Sequence, residues 1–196
     1  MIVLGACSNG DNPFLIQKTS NHDVGAYIVT NVLKLIDKNY STMAVEKEDC
    51  WLYKYGDHYY AIHSKGVNLL YRSINTLCKL FPKERIMIVI DDFALQKGKY
   101  KISQKFVNTG HNAMFNIELF IKPSIIDRIC MLRIGIAGQG SLDLCTYVLS
   151  PVSHTVKVLI QNLSAIFFYN ISQLNKLPDF IQGVKREFKK VPVVQQ

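Results

Sequence analysis

RIMIVIDD, Arg85 to Asp92, is the stretch whose reading decides the fold. Its five consecutive apolar residues, Ile86 to Ile90, leave no polar side to turn toward water. A strand that is apolar on both faces must be covered on both faces, which is the condition of a central parallel strand. Two aspartates then stand at its carboxyl end. In open α/β sheets, ligands bind beyond the carboxyl ends of the strands, so Asp91 and Asp92 are the first pointer to a site.

Working outward, Ile2 to Ala6 is a short apolar burst that runs into a polar, glycine-containing stretch, as a buried strand followed by a loop would. ICMLRIGIAG, Ile129 to Gly138, is a second buried strand. From His22 to Lys38, Val24, Ile28, Val32 and Leu35 recur at helical spacing. Gly56-Asp57 separates two aromatic-rich runs in WLYKYGDHYYAIH and predicts a β-hairpin. VNLLYRSINTLCKLF sets Val67, Tyr71, Ile74 and Cys78 on one helical stripe, and Pro82 closes it. KGKYKISQKF reads as a basic strand and GHNAMFNIELFI as the opening of a helix. Val152 to Tyr169 reads as a long helix, and the basic tail from Asp179 onward as a last short one. Strands alternating with helices, without repeats or a linker, predict one domain over residues 1–196. The expected fold class is a three-layer α/β/α architecture around a mixed, mainly parallel, twisted central sheet.

Composition narrows the setting. A hydrophobic fraction of 48% against 19% charged residues is that of a compact chain able to bury a core, not of a disordered one. No apolar run approaches the ~20 residues that span a bilayer, so no membrane role is expected. MIVLGACSNG has no basic segment ahead of its apolar stretch, so no secretory signal is expected. The five cysteines are scattered without a CxxC pair, which argues for a reducing compartment and against a zinc site or disulfide framework. A cytoplasmic location follows, an organellar one staying open. The formal charge of +8 favours a polyanionic partner.

Singly, the polar candidates are ambiguous. Asn21 or Asp23 can cap the helix around His22, and Asn68 and Asn112 stand where caps would stand. His58 and His63 flank the second hairpin strand, as surface or half-buried packing residues do, and His154 lies near a helix start. GIAGQG lacks both the dinucleotide fingerprint and the lysine of a phosphate loop, and no GxSxG elbow is present. That absence, with the charge, counts against an unrelated small-ester hydrolase.

The order of the signals is more specific than any one of them. Asn21-His22-Asp23-Val24-Gly25, Asn68-Leu69, Asp91-Asp92, Gly110-His111-Asn112 and Leu132-Arg133-Ile134-Gly135-Ile136 follow one another as in the bacterial-type peptidyl-tRNA hydrolases, and the chain resembles that family to about Pro151. The resemblance implies an ester hydrolase that frees tRNA from a peptide or N-blocked aminoacyl group, acting without a metal or other cofactor, and as a monomer. It implies His22 as the base that activates water and Asp91 as its orienting carboxylate. Asn68 and Asn112 would hold the peptide backbone, with Asn12 as a third asparagine; Ser8 and Asn9 are alternatives for that position. Lys101 and Arg133 would clamp the terminal phosphate of the tRNA acceptor end. Departures from the family pattern are Asn21, Asp23, Leu70-Tyr71, Ala94, the bulkier KFVNTGHN and Ala113. The competing implication is a non-catalytic, splicing-type RNA-binding relative. An exposed apolar surface around FFYNISQL, Phe167 to Leu174, would favour it.

Overall fold

The computed structural model describes residues 1–8, 20–138 and 143–189 of the 196-residue chain. Among the described residues seven strands form one sheet: β1 (Ile2–Gly5), β2 (Val45–Lys47), β3 (Cys50–Tyr55), β4 (His58–His63), β5 (Ile86–Gln96), β6 (Tyr100–Ser103) and β7 (Ile129–Ala137). Their order is β2-β3-β4-β1-β5-β7-β6. The four middle strands β4, β1, β5 and β7 run parallel, while β2, β3 and β6 add antiparallel edges. RIMIVI therefore lies where its two-sided apolarity requires, with β1 on one flank and β7 on the other.

The helices are α1 (Val24–Ile36), α2 (Tyr40–Met43), α3 (Leu70–Leu80), α4 (Asn112–Phe120), α5 (Pro123–Ile126), α6 (Leu144–Leu149), α7 (His154–Tyr169) and α8 (Leu177–Phe188). Strand alternation divides the core in two. Met87 and Val89 pack with Val24, Ile28, Ile160 and Phe180 beneath α1, α7 and α8. Ile86, Ile88 and Ile90 pack with Leu70, Ile74, Met114 and Ile117 beneath α3 and α4. This is the three-layer arrangement expected of the sequence.

Three local readings are corrected. β5 does not stop at Ile90: it runs to Gln96, with a register shift after Asp92, because β7 continues to pair with it. The aspartates therefore sit inside the strand. His58 and His63 are buried, not superficial. Phe167 and Leu174 lie in the core, so FFYNISQL turns Tyr169 to solvent with Phe168 and Ile171 only partly exposed.

One close approach sets the geometry of the site. A Cβ on Gly25 would fall 2.0 Å from the carbonyl oxygen of Val89, inside any permissible contact. Glycine there lets the start of α1 lie directly on β5, and Ala26 N–H donates to the Ala6 carbonyl at 2.9 Å. The residues just before α1 are thereby held at the end of the sheet.

Candidate active site

His22 lies in a 3₁₀ turn, Asn21–Asp23, that leads into α1. Its neighbours build the turn rather than merely flanking it. The Asp23 carboxylate accepts from Ser20 N at 2.9 Å and Ser20 Oγ at 2.6 Å, and from Ser8 N and Ser8 Oγ, both at 2.7 Å. Burial would raise its pKa, but the hydrogen bonds outweigh that and lower it, so Asp23 is a fixed anion. Asn21 Nδ2 donates to the carbonyl of Tyr147 at 3.0 Å and ties the turn to α6. The departures Asn21 and Asp23 are thus structural residues of the His22 turn.

From this position His22 Nδ1 lies 2.9 Å from Asp91 Oδ2. A carboxylate there makes Nδ1 the protonated nitrogen and leaves the Nε2 lone pair for the groove. The other carboxylate oxygen, Oδ1, lies 3.5 Å from His111 Nε2. His111 is the N-cap of α4, its Nδ1 accepting from Ala113 N at 3.0 Å, so Nε2 carries that ring's proton and lies beside Asp91 without completing a hydrogen bond. Cap and first helical residue are therefore His111 and Asn112, one position earlier than an Asn cap would place them. Asp91 is completely buried between the two rings, whose centroids are 5.0 Å apart. Burial would raise its pKa; the two imidazoles facing the carboxylate, His111 and His22, prevail and lower it.

The ligand atoms of His22, Asp91 and His111 lie within 4.8 Å of one another, close enough to surround one metal ion. The donor chemistry does not fit. With Nδ1 of His111 engaged by Ala113, its Nε2 is protonated and has no lone pair to give.

The carboxyl ends of β1, β4 and β5 open into a groove of about 450 Å³ that includes His22, His111, Asn68, Asn112 and Ser8. Phe93 and the α6 residues Leu144, Val148 and Leu149 supply apolar lining to the same groove. Asn68 and Asn112 are exposed to it, and Asn68's carbonyl is held by Asn116 Nδ2 at 2.9 Å. Asn9 and Asn12 lie outside the described residues; of the three candidates for the first asparagine position, Ser8 is the one placed in the groove.

Lys101 and Arg133 face each other in register across β6 and β7. They differ sharply in surroundings. Lys101 is exposed, whereas Arg133 is buried with Nη1 3.0 Å from Asp92 Oδ2.

Sequence reasoning brought together His22, Asp91, Asn68 and Asn112, and missed His111 as a second partner of Asp91. The available signal was a histidine at another helix start, next to a strand-end carboxylate already assigned one histidine. It also missed α6, whose start is marked by Asp143, capping Thr146 N at 3.0 Å.

A His-Asp pair opening on an amide-lined groove at the end of an α/β sheet sets a histidine nitrogen beside hydrogen-bonding amides, an arrangement suited to a general base. Comparison with known proteins is more specific. The family model described as peptidyl-tRNA hydrolase matches residues 12–190, and the chain belongs to that family. A peptidyl-tRNA hydrolase of Campylobacter curvus is 25% identical over 178 residues, covering 90% of this chain and 92% of the relative. One from Aster yellows witches'-broom phytoplasma is 32% identical over 89 residues, 42% of this chain, and that alignment spans only 43% of the relative's length. The crystal structure of peptidyl-tRNA hydrolase from Acinetobacter baumannii has the same fold: the TM-score is 0.72 at 16% identity, with 93% of each chain covered.

Proposed function

We propose that the protein hydrolyses the ester joining a peptide, or an N-blocked aminoacyl group, to the terminal ribose of tRNA. The observation that carries this reading is the 2.9 Å contact of His22 Nδ1 with fully buried Asp91, which leaves Nε2 free at the groove. His22 Nε2 takes a proton from water as its oxygen attacks the ester carbonyl. The imidazolium formed is stabilised by Asp91, whose other oxygen faces His111 Nε2 at 3.5 Å. As the tetrahedral intermediate collapses, the proton on Nε2 passes to the departing ribose oxygen, releasing tRNA and the peptide acid. No step requires a metal.

The Asn68 and Asn112 amides offer donors and acceptors to the peptide backbone, which suits a substrate of no fixed sequence. An N-blocked group is thereby distinguished from a free amine, which would bring a charge to the groove. In the basic pair, Lys101 makes the phosphate contact as an exposed point charge, while Arg133, committed to Asp92, adds its field from below. No helix among the described residues is long and apolar enough to cross a membrane. We place the activity in the cytoplasm, carried by the monomer.

The test is release of an N-acetylated aminoacyl group from tRNA compared with free aminoacyl-tRNA. Preferential release of the blocked group is expected. Binding of tRNA without release of either would favour the splicing-type reading, whose expected surface loses Phe167 and Leu174 to the core.

A further inference from the structure

A second histidine network lies beneath the groove, on residues that water activation does not use. His63 ends β4 with its side chain wholly buried. Its Nε2 lies 2.6 Å from the Gly66 carbonyl and its Nδ1 2.7 Å from Ser73 Oγ on α3. A carbonyl can only accept, so Nε2 carries a proton whatever the charge on the ring. The same Gly66 carbonyl accepts the Leu69 N–H at 2.9 Å. That second bond closes the 3₁₀ turn Val67–Leu69, whose middle residue is Asn68.

The segment needs such a support. Gly66 has φ +89°, a left-handed conformation that takes the chain out of β4 and into the turn. Past His63 the Ser64 N–H still donates to the Asp49 carbonyl at 3.0 Å, but the regular pairing of β4 has ended before Gly66. A ring of similar shape without a donor would fill the space beneath Gly66 but leave its carbonyl held by the Leu69 N–H alone. The groups facing the imidazole are the Asp49 carboxylate, from the turn before β3, and the Arg72 guanidinium on α3. Burial outweighs Asp49 and lowers the pKa of His63, favouring the neutral ring. The single Ser73 hydroxyl proton can turn to Nδ1 of the neutral ring or to the Asp49 carbonyl, which lies 2.6 Å from Ser73 Oγ. The bond from Nε2 to Gly66 persists in both states.

We propose that His63 is a positioning residue: by donating from Nε2 to the Gly66 carbonyl it fixes the peptide that starts the Asn68 turn and so aims the Asn68 amide into the groove. What Asn68 then does rests on the hydrolase reading; the conformation of the turn does not.

The experiment compares the wild-type chain with His63→Gln and His63→Asn. A glutamine amide reaches the place of the imidazole Nε2, whereas an asparagine amide reaches only that of Nδ1. In the wild type, nitrogen NMR should show His63 protonated at Nε2 at neutral pH. His63→Asn should speed amide exchange at Leu69 by about tenfold, the worth of one buried hydrogen bond. It should also lower kcat/KM on N-acetylated aminoacyl-tRNA by a similar factor, with His63→Gln restoring most of both. In an Asn68→Ala background the kcat/KM loss should vanish, since nothing remains to be aimed. An Nε2 without a proton, or Leu69 exchange unchanged in His63→Asn, overturns the proposal even if no ester is cleaved. So does a loss of activity that is the same in both variants, follows thermal stability, and adds to that of Asn68→Ala. Absence of hydrolysis by the wild type would overturn the hydrolase reading and leave the NMR and exchange outcomes to decide the role of His63.

Discussion

Asp91 and Asp92 are adjacent, equally buried carboxylates in one strand, yet they serve different ends. Strand pleat turns successive side chains to opposite faces of the sheet. Asp91 meets two imidazoles at the groove, where a charge can form and disappear during a reaction. Asp92 meets Arg133, whose charge is permanent, through Oδ2, and its Oδ1 accepts from Ala94 N at 2.9 Å, so both of its carboxylate oxygens are already engaged. The comparison teaches that burial and charge do not identify a catalytic carboxylate. What distinguishes Asp91 is a titratable partner with an open nitrogen on its other side.

The sharpest way to break this contrast is Asp91→Asn against Asp92→Asn. An amide at 91 can still hydrogen-bond His22 but cannot stabilise its imidazolium, so kcat should fall by roughly 10²-fold or more. The same change at 92 should reduce kcat only slightly while lowering the unfolding temperature. If Asp92 proves the sensitive position for kcat, the assignment of the two carboxylates is reversed.

Arg133→Ala should act mainly on stability. It leaves Asp92 as a buried, uncompensated charge, a change that typically costs about 3–5 kcal/mol. Urea denaturation measures this directly; a loss below about 1 kcal/mol would show that Arg133 is not committed to Asp92 and is free to bind phosphate.

The acid limb of stability sharpens the contrast further. The pKa values of Asp91 and Asp23 are lowered on folding, so the stability they contribute is complete above the unfolded carboxylate pKa, near ~3.9. It is lost as pH falls through their folded values. Asp91→Asn and Asp23→Asn should each flatten the decline of unfolding free energy below that range, and unchanged slopes would contradict the anionic assignment.

Lys101→Ala should give the smallest effect. KM for tRNA substrates should rise a few-fold, and the salt dependence of binding should lose about one counterion. A short ester substrate lacking the acceptor stem should be cleaved as before. An unchanged salt slope would remove Lys101 from the tRNA contact.

Much of this was legible because local pattern and tertiary demand agreed. An unbroken apolar run is buried on both sides wherever it goes, so RIMIVI announced a central strand without help from its partners. Gly56-Asp57 between aromatic runs likewise specified its hairpin locally. His22 and Asp91 were legible through the order of short motifs and not through their own surroundings. The features that escaped depend on distant chain. The extension of β5 through DDFALQ, past its two aspartates, is imposed by pairing with β7, some forty residues later. His63 looks superficial beside its exposed-looking hairpin neighbours; α3 and the turn at Gly66 close over it. His111 becomes a partner of Asp91 only once α4 is placed against the sheet end.

The central claim is that Nε2 of His22, oriented by Asp91, takes the proton from the attacking water. It is tested most directly by measuring single-turnover release of an N-acetylated aminoacyl group from tRNA by His22→Ala, with tRNA binding and unfolding temperature followed in parallel. The predicted result is a rate at least roughly 10²–10⁴-fold lower, with binding and stability close to those of the wild type. Near-normal release by a folded His22→Ala protein would contradict the account.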